Sequence, residues 1–355
     1  MIRVLHIVSS LGTGSGVMSV LMSYHRNLDR VKFQFDYLCF RETEQTFEQE
    51  IGDLGGRVYH FPRPKPGRAF QSQAEAFFRQ HREYEIVHCH PIYGAFFFGK
   101  AARKQGVPHV IQHSHTTRYS DKPISALRNW ALLSLFPRRA TDFTACSAEA
   151  RAIFWWKKPE KVFIMENALD TEKFTFSDAR RAQIRDQYGI GEKTLVLGHI
   201  GRFSPEKNHM FLLSILKKVP EAVLLLVGDG PRMEQVKEAS RHRGLEDRVI
   251  FAGRQRDVAG YLSAMDVFFL PSTFEGLGIV LLEAQCNGLP CLASSRVPPE
   301  TDVSGNVCYL PLEDGTAPWA EALPGLHRAS ADERLDRYRI GPAARTLEAY
   351  YEGLN

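Results

Sequence analysis

Leu195-Val196-Leu197-Gly198-His199-Ile200-Gly201-Arg202-Phe203-Ser204-Pro205-Glu206-Lys207-Asn208 reads as a buried strand, a glycine turn and the entry to a helix. The start of the chain has the same form. Val4–Ser9 is a strand, Leu11-Gly12-Thr13-Gly14-Ser15-Gly16 a glycine-rich turn, and Val17–Arg26 a helix. Further strand candidates are Phe33–Phe40, Val58–Phe61, Ile86–His88, His109–Gln112, Phe143–Cys146 and Val162–Met165, then Val223–Val227, Val249–Ala252, Val267–Leu270 and Cys291–Ala293. Amphipathic stretches separate nearly every pair, which predicts parallel sheets with helical crossovers. At 355 residues the chain exceeds one ordinary core. The expected fold is α/β, with two doubly wound Rossmann-like domains facing a central cleft. The predicted boundaries are 1–168, 169–340, and a helix within 341–355 that crosses back onto the first domain. Ligands of such sheets bind outside the carboxyl ends of the strands, here in the cleft.

Composition narrows the function. Hydrophobic residues make up 44% and charged residues 24%, the balance of a globular protein. A net charge of +4 is too mild for a dedicated nucleic-acid binder. The six cysteines form no C-x-x-C pair and read as buried free thiols of a reducing compartment. No apolar run reaches the length of a spanning helix, and the first residues read as a strand rather than a signal peptide. These features predict a cytoplasmic protein. A basic and aromatic first half adds peripheral contact with an anionic membrane as a further expectation. It includes Arg63–Arg68, Phe96-Phe97-Phe98, Arg128, Trp130, Phe136, Arg138, Arg139 and Trp155–Lys158.

The chemistry concentrates in a few turns. Glu275 lies in Pro271–Gly278, and Glu283 follows eight residues later inside the apolar run Ile279–Ala284. That spacing predicts two carboxylates on the first part of one helix, addressing one hydroxyl-rich ligand. A carboxylate in an apolar run is costly unless paired or hydrogen-bonded. Arg202 and Lys207 precede a helix, where cations oppose the dipole unless an anion sits between them. A diphosphate is the natural anion. Val227-Gly228-Asp229-Gly230-Pro231 is another strand-to-helix turn at the same edge. The first loop, read as G-x-G-x-G, departs from the dinucleotide fingerprint, and the second strand ends in Leu38-Cys39-Phe40 without an acid. Two H-x-H pairs, His88-Cys89-His90 and His113-Ser114-His115, suit either a metal or a ligand-binding histidine; no acid accompanies them. The chain has no D-x-D, the usual carboxylate clamp for a metal-held diphosphate.

Together the Gly-rich first loop, Asn167–Asp170, Gly201-Arg202, Glu206-Lys207-Asn208, Gly228–Pro231 and Glu275–Glu283 resemble glycosyltransferase family 4, whose members are retaining enzymes of the GT-B fold. The wording of Met22–Asp29 and Thr144–Ser147 is similar to the bacterial exopolysaccharide and capsule branch. The resemblance implies a nucleotide-sugar donor, most simply a UDP-sugar, with no metal and no other cofactor. Arg202 and Lys207 would hold the diphosphate and stabilise its departure. Glu283 would bind the ribose, and Glu275 with Gly276, Leu277 and Gly278 the sugar. Arg254 would lie by the base, and Gly14, Ser15 and Gly16 would approach the phosphates. Alignment to the family pattern makes His115 the histidine that contacts the transferred sugar. The acceptor would be a saccharide or a polyprenyl-diphosphate-linked chain. A β-phosphate oxygen would take its proton. Two positions depart from the family pattern, Val297-Pro298-Pro299-Glu300 and Met18. A nucleotide-sugar epimerase of the same fold, or a silent nucleotide-sugar binder, are the alternatives.

Overall fold

The computed structural model describes the chain except Thr117, Arg118, Asp121, Lys122, Leu135, Phe136, Arg256, Gly276, Leu277, Ala331 and Asn355. The expectations placed on Gly276, Leu277 and Phe136 lie outside the described residues. The chain divides into two units, Met1–Leu169 with Tyr338–Asn355, and Asp170–Arg337. The crossings differ by one residue from the expected 168 and by three from the expected 340. Leu169 bridges Arg339, donating to the Tyr338 carbonyl and accepting from Ile340 N, so backbone pairing draws Leu169 and Tyr338 into the first unit.

The first unit holds seven strands: β1 (Ile2–Ile7), β2 (Phe33–Cys39), β3 (Val58–His60), β4 (Tyr84–Cys89), β5 (His109–Ser114), β6 (Asp142–Ala145) and β7 (Phe163–Ile164). Their order is β3-β2-β1-β4-β5-β6-β7, and every pairing is parallel. The second unit holds β8 (Leu195–Ile200), β9 (Ala222–Val227), β10 (Val249–Gly253), β11 (Val267–Leu270), β12 (Cys291–Ser294) and β13 (Val307–Leu310), ordered β10-β9-β8-β11-β12-β13, again all parallel. In each sheet the order reverses beside the first strand, between β1 and β4 and between β8 and β11. The crevice beyond the strand ends at such a reversal is where doubly wound sheets bind ligands.

β1, β2, β4 and β11 are buried on both faces, which is why they read as nearly continuous apolar runs. The helix Gly16–Asn27 opens where Ser15 Oγ accepts from Met18 N at 3.4 Å. Met18, a departure from the family pattern, is fully buried in that helix. Phe97 and Phe98 are core residues against Phe70 and Phe61, so most of the Phe96–Phe98 triplet belongs to the interior rather than to a basic-aromatic surface. Each such ring contributes about 1.5–3 kcal/mol by leaving water. The last helix, Ile340–Glu352, buries Ile340, Ala344, Leu347 and Tyr351 within the first unit, and its Glu348 accepts from Asp29 N at 2.7 Å.

Candidate functional site

In the second unit the loops after β8 and β11 meet at the strand reversal. β8 ends at Ile200, a tight turn spans Pro205–Lys207, and the helix His209–Leu216 begins after Asn208. Asn208 adopts φ 55°, the one left-handed non-glycine residue among those described, and so turns the chain sharply behind Lys207. Thr273 N donates to the Glu206 carbonyl at 2.8 Å, tying the two loops together. Lys207 Nζ forms an ion pair with Glu275 Oε1, which also accepts from Ser272 Oγ at 2.7 Å. Arg202 is exposed on the same loop.

The glutamates do not share a helix as their spacing predicts. Gly278 takes φ 70°, and the helix runs only from Ile279 to Cys286. Glu275 therefore stays in the preceding turn and reaches Lys207, while Glu283 alone sits on the helix. Glu283 is mostly buried, and its carboxyl makes no hydrogen bond or ion pair among the described residues. Burial pushes it up to about 7, with Lys173 opposing weakly. A desolvated carboxyl without a partner is costly, and hydroxyl donors from a ligand would complete it.

Gly228 and Gly230 build the neighbouring wall. Gly201 N donates to the Val227 carbonyl and Phe203 N to the Asp229 carbonyl, so the turns 201–203 and 228–230 run side by side. A Cβ on Gly228, at φ 139°, would lie 2.0 Å from the Gly201 oxygen, and one on Gly230 2.6 Å from the Phe203 oxygen. These glycines set the shape of the Arg202 loop. Arg254 follows β10 and is exposed.

The first unit presents a different chemistry at its reversal. A cavity of about 150 Å³ there is lined by Val8, Ser9, Ser10, Ser15, His90 and Pro91. Gly14 and Gly16 are exposed at its rim loop. Both H-x-H pairs point to one face of the sheet, where they join His6 of β1, a residue the sequence did not single out. His6 Nδ1 lies 2.9 Å from His90 Nε2, and His90 Nδ1 lies 2.9 Å from His115 Nε2. Separately, His88 Nδ1 meets Tyr351 Oη at 2.8 Å, and His88 Nε2 and His113 Nδ1 share Thr144 Oγ1 at 3.1 and 2.9 Å. Burial drives His6, His88, His90 and His113 well below the usual range and His115 to about 4, so the rings are neutral. His6, His88 and His90, and likewise His90, His113 and His115, bring their ring nitrogens within 4.8 Å of one another.

Comparison with known proteins decides what these turns belong to. Residues 14–173 match the model of Glycosyltransferase Family 4, and residues 180–306 match Glycosyl transferases group 1. The chain is 32% identical to the putative glycosyltransferase EpsF of Bacillus subtilis (strain 168) over 352 residues, 94% of this chain and 89% of that protein. The chain is a family 4 glycosyltransferase. A UDP-Gal:alpha-D-GlcNAc-diphosphoundecaprenol alpha-1,3-galactosyltransferase of Escherichia coli is 28% identical over 65% of this chain and 61% of its own length. Among solved structures, Anabaena HepE in complex with UDP and glucose superposes with a TM-score of 0.83 at 19% identity, covering 99% of this chain and 100% of that one. The glycosyltransferase thus has the GT-B architecture expected of it. Within its second unit Arg202, Lys207, Glu275 and the Ile279–Cys286 helix that carries Glu283 lie on one strand reversal, while Ser15 and His115 belong to the other unit. His6 and Tyr351 were missed because a single histidine in a strand and a tyrosine in a last helix carry no motif.

Proposed function

We propose that this glycosyltransferase moves a hexose, with retention, from a UDP-sugar to a saccharide or polyprenyl-diphosphate-linked acceptor in extracellular polysaccharide synthesis. The mostly buried carboxyl of Glu283, without a partner among the described residues, carries the reading, because ribose hydroxyls are donors that would complete it. Arg202 and Lys207 hold the diphosphate and stabilise the charge that develops as it leaves. In the free enzyme Glu275 neutralises Lys207, so the donor must take over that pairing: its phosphate engages Lys207 and its sugar hydroxyls engage Glu275. Gly278 shapes the sugar side, Arg254 lies by the base, and Gly14, Ser15 and Gly16 approach the phosphates. His115 contacts the transferred sugar. Two cations replace the metal that a D-x-D clamp would bind. The E. coli relative's UDP-galactose donor and lipid-diphosphate acceptor, and the UDP and glucose bound by HepE, support this choice of substrates.

No described helix is long and apolar enough to cross a membrane. Peripheral contact is supported by Ile124, Leu127 and Trp130, all exposed on the helix Pro123–Ser134, by exposed Trp155, and by Arg128, Arg138 and Lys158. Calorimetry with UDP and GDP in the presence of a chelator tests the donor site. Metal-free UDP binding that is lost in Glu283→Ala is expected. Equal affinity in the variant, or binding only after a divalent ion is added, would overturn the assignment.

A further inference from the structure

His6, His90 and His115 form a continuous chain of ring-to-ring hydrogen bonds from the core of the first sheet to its partly exposed rim. Each link needs one proton. Because the rings are neutral, each has one N–H, and fixing the proton in one link fixes it in the next. Only two arrangements exist. If His115 donates to His90 and His90 to His6, the His6 proton must sit on Nε2, which is buried without a partner among the described residues. If His6 donates to His90 and His90 to His115, the buried Nε2 of His6 carries only a lone pair. Orphaned buried N–H groups are rarer than under-satisfied acceptors, so the second arrangement is favoured.

A metal is the competing occupant of this cluster. Imidazole lone pairs lie in the ring plane, and these planes are inclined to one another by only 22–36°, stacked or modestly tilted. His113 and His115 lie 4.1 Å apart at 22°, and His88 and His90 4.6 Å apart at 22°. The nitrogens that do face each other are 2.9 Å apart in both links, close enough to share a proton.

We infer that His90 and His6 are positioning residues that hold His115 in its Nδ1–H tautomer, so that it offers a fixed hydrogen-bond donor to a hydroxyl or ring oxygen of the bound sugar. The Nδ1 of His115 makes no hydrogen bond among the described residues, which leaves it available. The relay rests on the ring-to-ring geometry and on the burial that keeps the rings neutral; the sugar contact rests on the role proposed for His115 above.

Nitrogen-15 NMR of protein labelled at its imidazoles reads the tautomer directly, with His115 assigned by its loss in His115→Gln. The expected wild-type pattern is a protonated Nδ1 and a bare, hydrogen-bond-accepting Nε2. His90→Leu should collapse that pattern toward an average of two tautomers, and His90→Asn, which restores a donor near the lost Nδ1, should recover it. A merely structural role for His90 would lower thermal stability without moving these shifts. A wild-type His115 protonated at Nε2 or averaged between tautomers would overturn the relay. So would stoichiometric Zn²⁺ uptake by chelator-treated protein with loss of the His6 and His90 signals. The sugar contact is read separately by adding UDP-glucose. A His115 resonance that moves on saturation supports it, and one that stays still sinks that contact while leaving the relay standing.

Discussion

The two strand reversals share a topology and differ in how their polar groups are satisfied. In the first unit the polar residues are neutral imidazoles, most of whose ring nitrogens pair within the protein through Tyr351, Thr144 and the His6–His90–His115 chain, leaving His6 Nε2 and His113 Nε2 without a partner among the described residues. In the second the polar residues are ions: an exposed Arg202, a Lys207 paired with Glu275, and a Glu283 with no partner among the described residues. The internal pairing of the first site is formed without any ligand. The second is costly to leave empty, and binding a ligand relieves that cost. Substitutions should therefore separate the two, affecting activity in one and stability in the other.

The largest expected effect is on catalysis. Under the proposed mechanism, Lys207→Ala removes a cation assigned to the departing diphosphate and should slow UDP release from the working donor by about a thousandfold. Its melting temperature should fall, because the largely buried Glu275 loses its counter-ion and keeps only the Ser272 hydroxyl as a donor among the described residues, so the rate is read on protein shown to be folded. A rate within a few-fold of wild type would place the leaving group elsewhere. Gly228→Ala should break the second unit's architecture instead. The new Cβ meets the Gly201 oxygen at φ 139°, and a loss of about 3 kcal/mol in denaturant unfolding is expected.

Tyr351→Phe sharpens the contrast from the first unit. It leaves His88 Nδ1 buried without its 2.8 Å partner and should cost about 1–2 kcal/mol of stability, with donor affinity unchanged. A change in UDP affinity there would mean that the two reversals are coupled.

The smallest effect is a pH dependence. The folded, ligand-free Glu283 titrates at about 7, above its ordinary range. On the proposed ribose contact, hydroxyl donors favour the ionised carboxylate, so UDP-glucose binding should release a proton, and affinity should fall by about eightfold between about pH 7.5 and pH 6. Glu283→Gln should abolish that slope. In the ligand-free protein the sign is opposite. A raised carboxyl pKa makes the folded state bind more protons than the unfolded one, so stability declines as pH rises from about 4.5 to about 7. Thermal melts of wild type and Glu283→Gln across that window would expose the difference.

Much of the fold was legible locally. The strands expected from apolar runs lie within a few residues of those observed, because a strand buried on both faces writes its burial directly into composition. β13 was missed: Val307–Leu310 is an edge strand with exposed Cys308, and only the turn residues Gly305-Asn306 and Pro311 mark it. The glutamate spacing placed Glu275 on one helix with Glu283, whereas Glu275 lies in the preceding turn, since periodicity assumes a helix that starts only after Gly278.

The amino-acid sequence by itself determined the alternation of strands and helices, the glycine turns, and the charged residues at Arg202, Lys207, Glu275 and Glu283, because each is set by near neighbours and fixed periodicities. Only the tertiary structure decided which of those charges pair, that Gly228 exists to admit another backbone, and that His6, His90 and His115 form one hydrogen-bonded line. Those are contacts between segments far apart in the chain, and they follow from the order in which the strands assemble rather than from any local pattern.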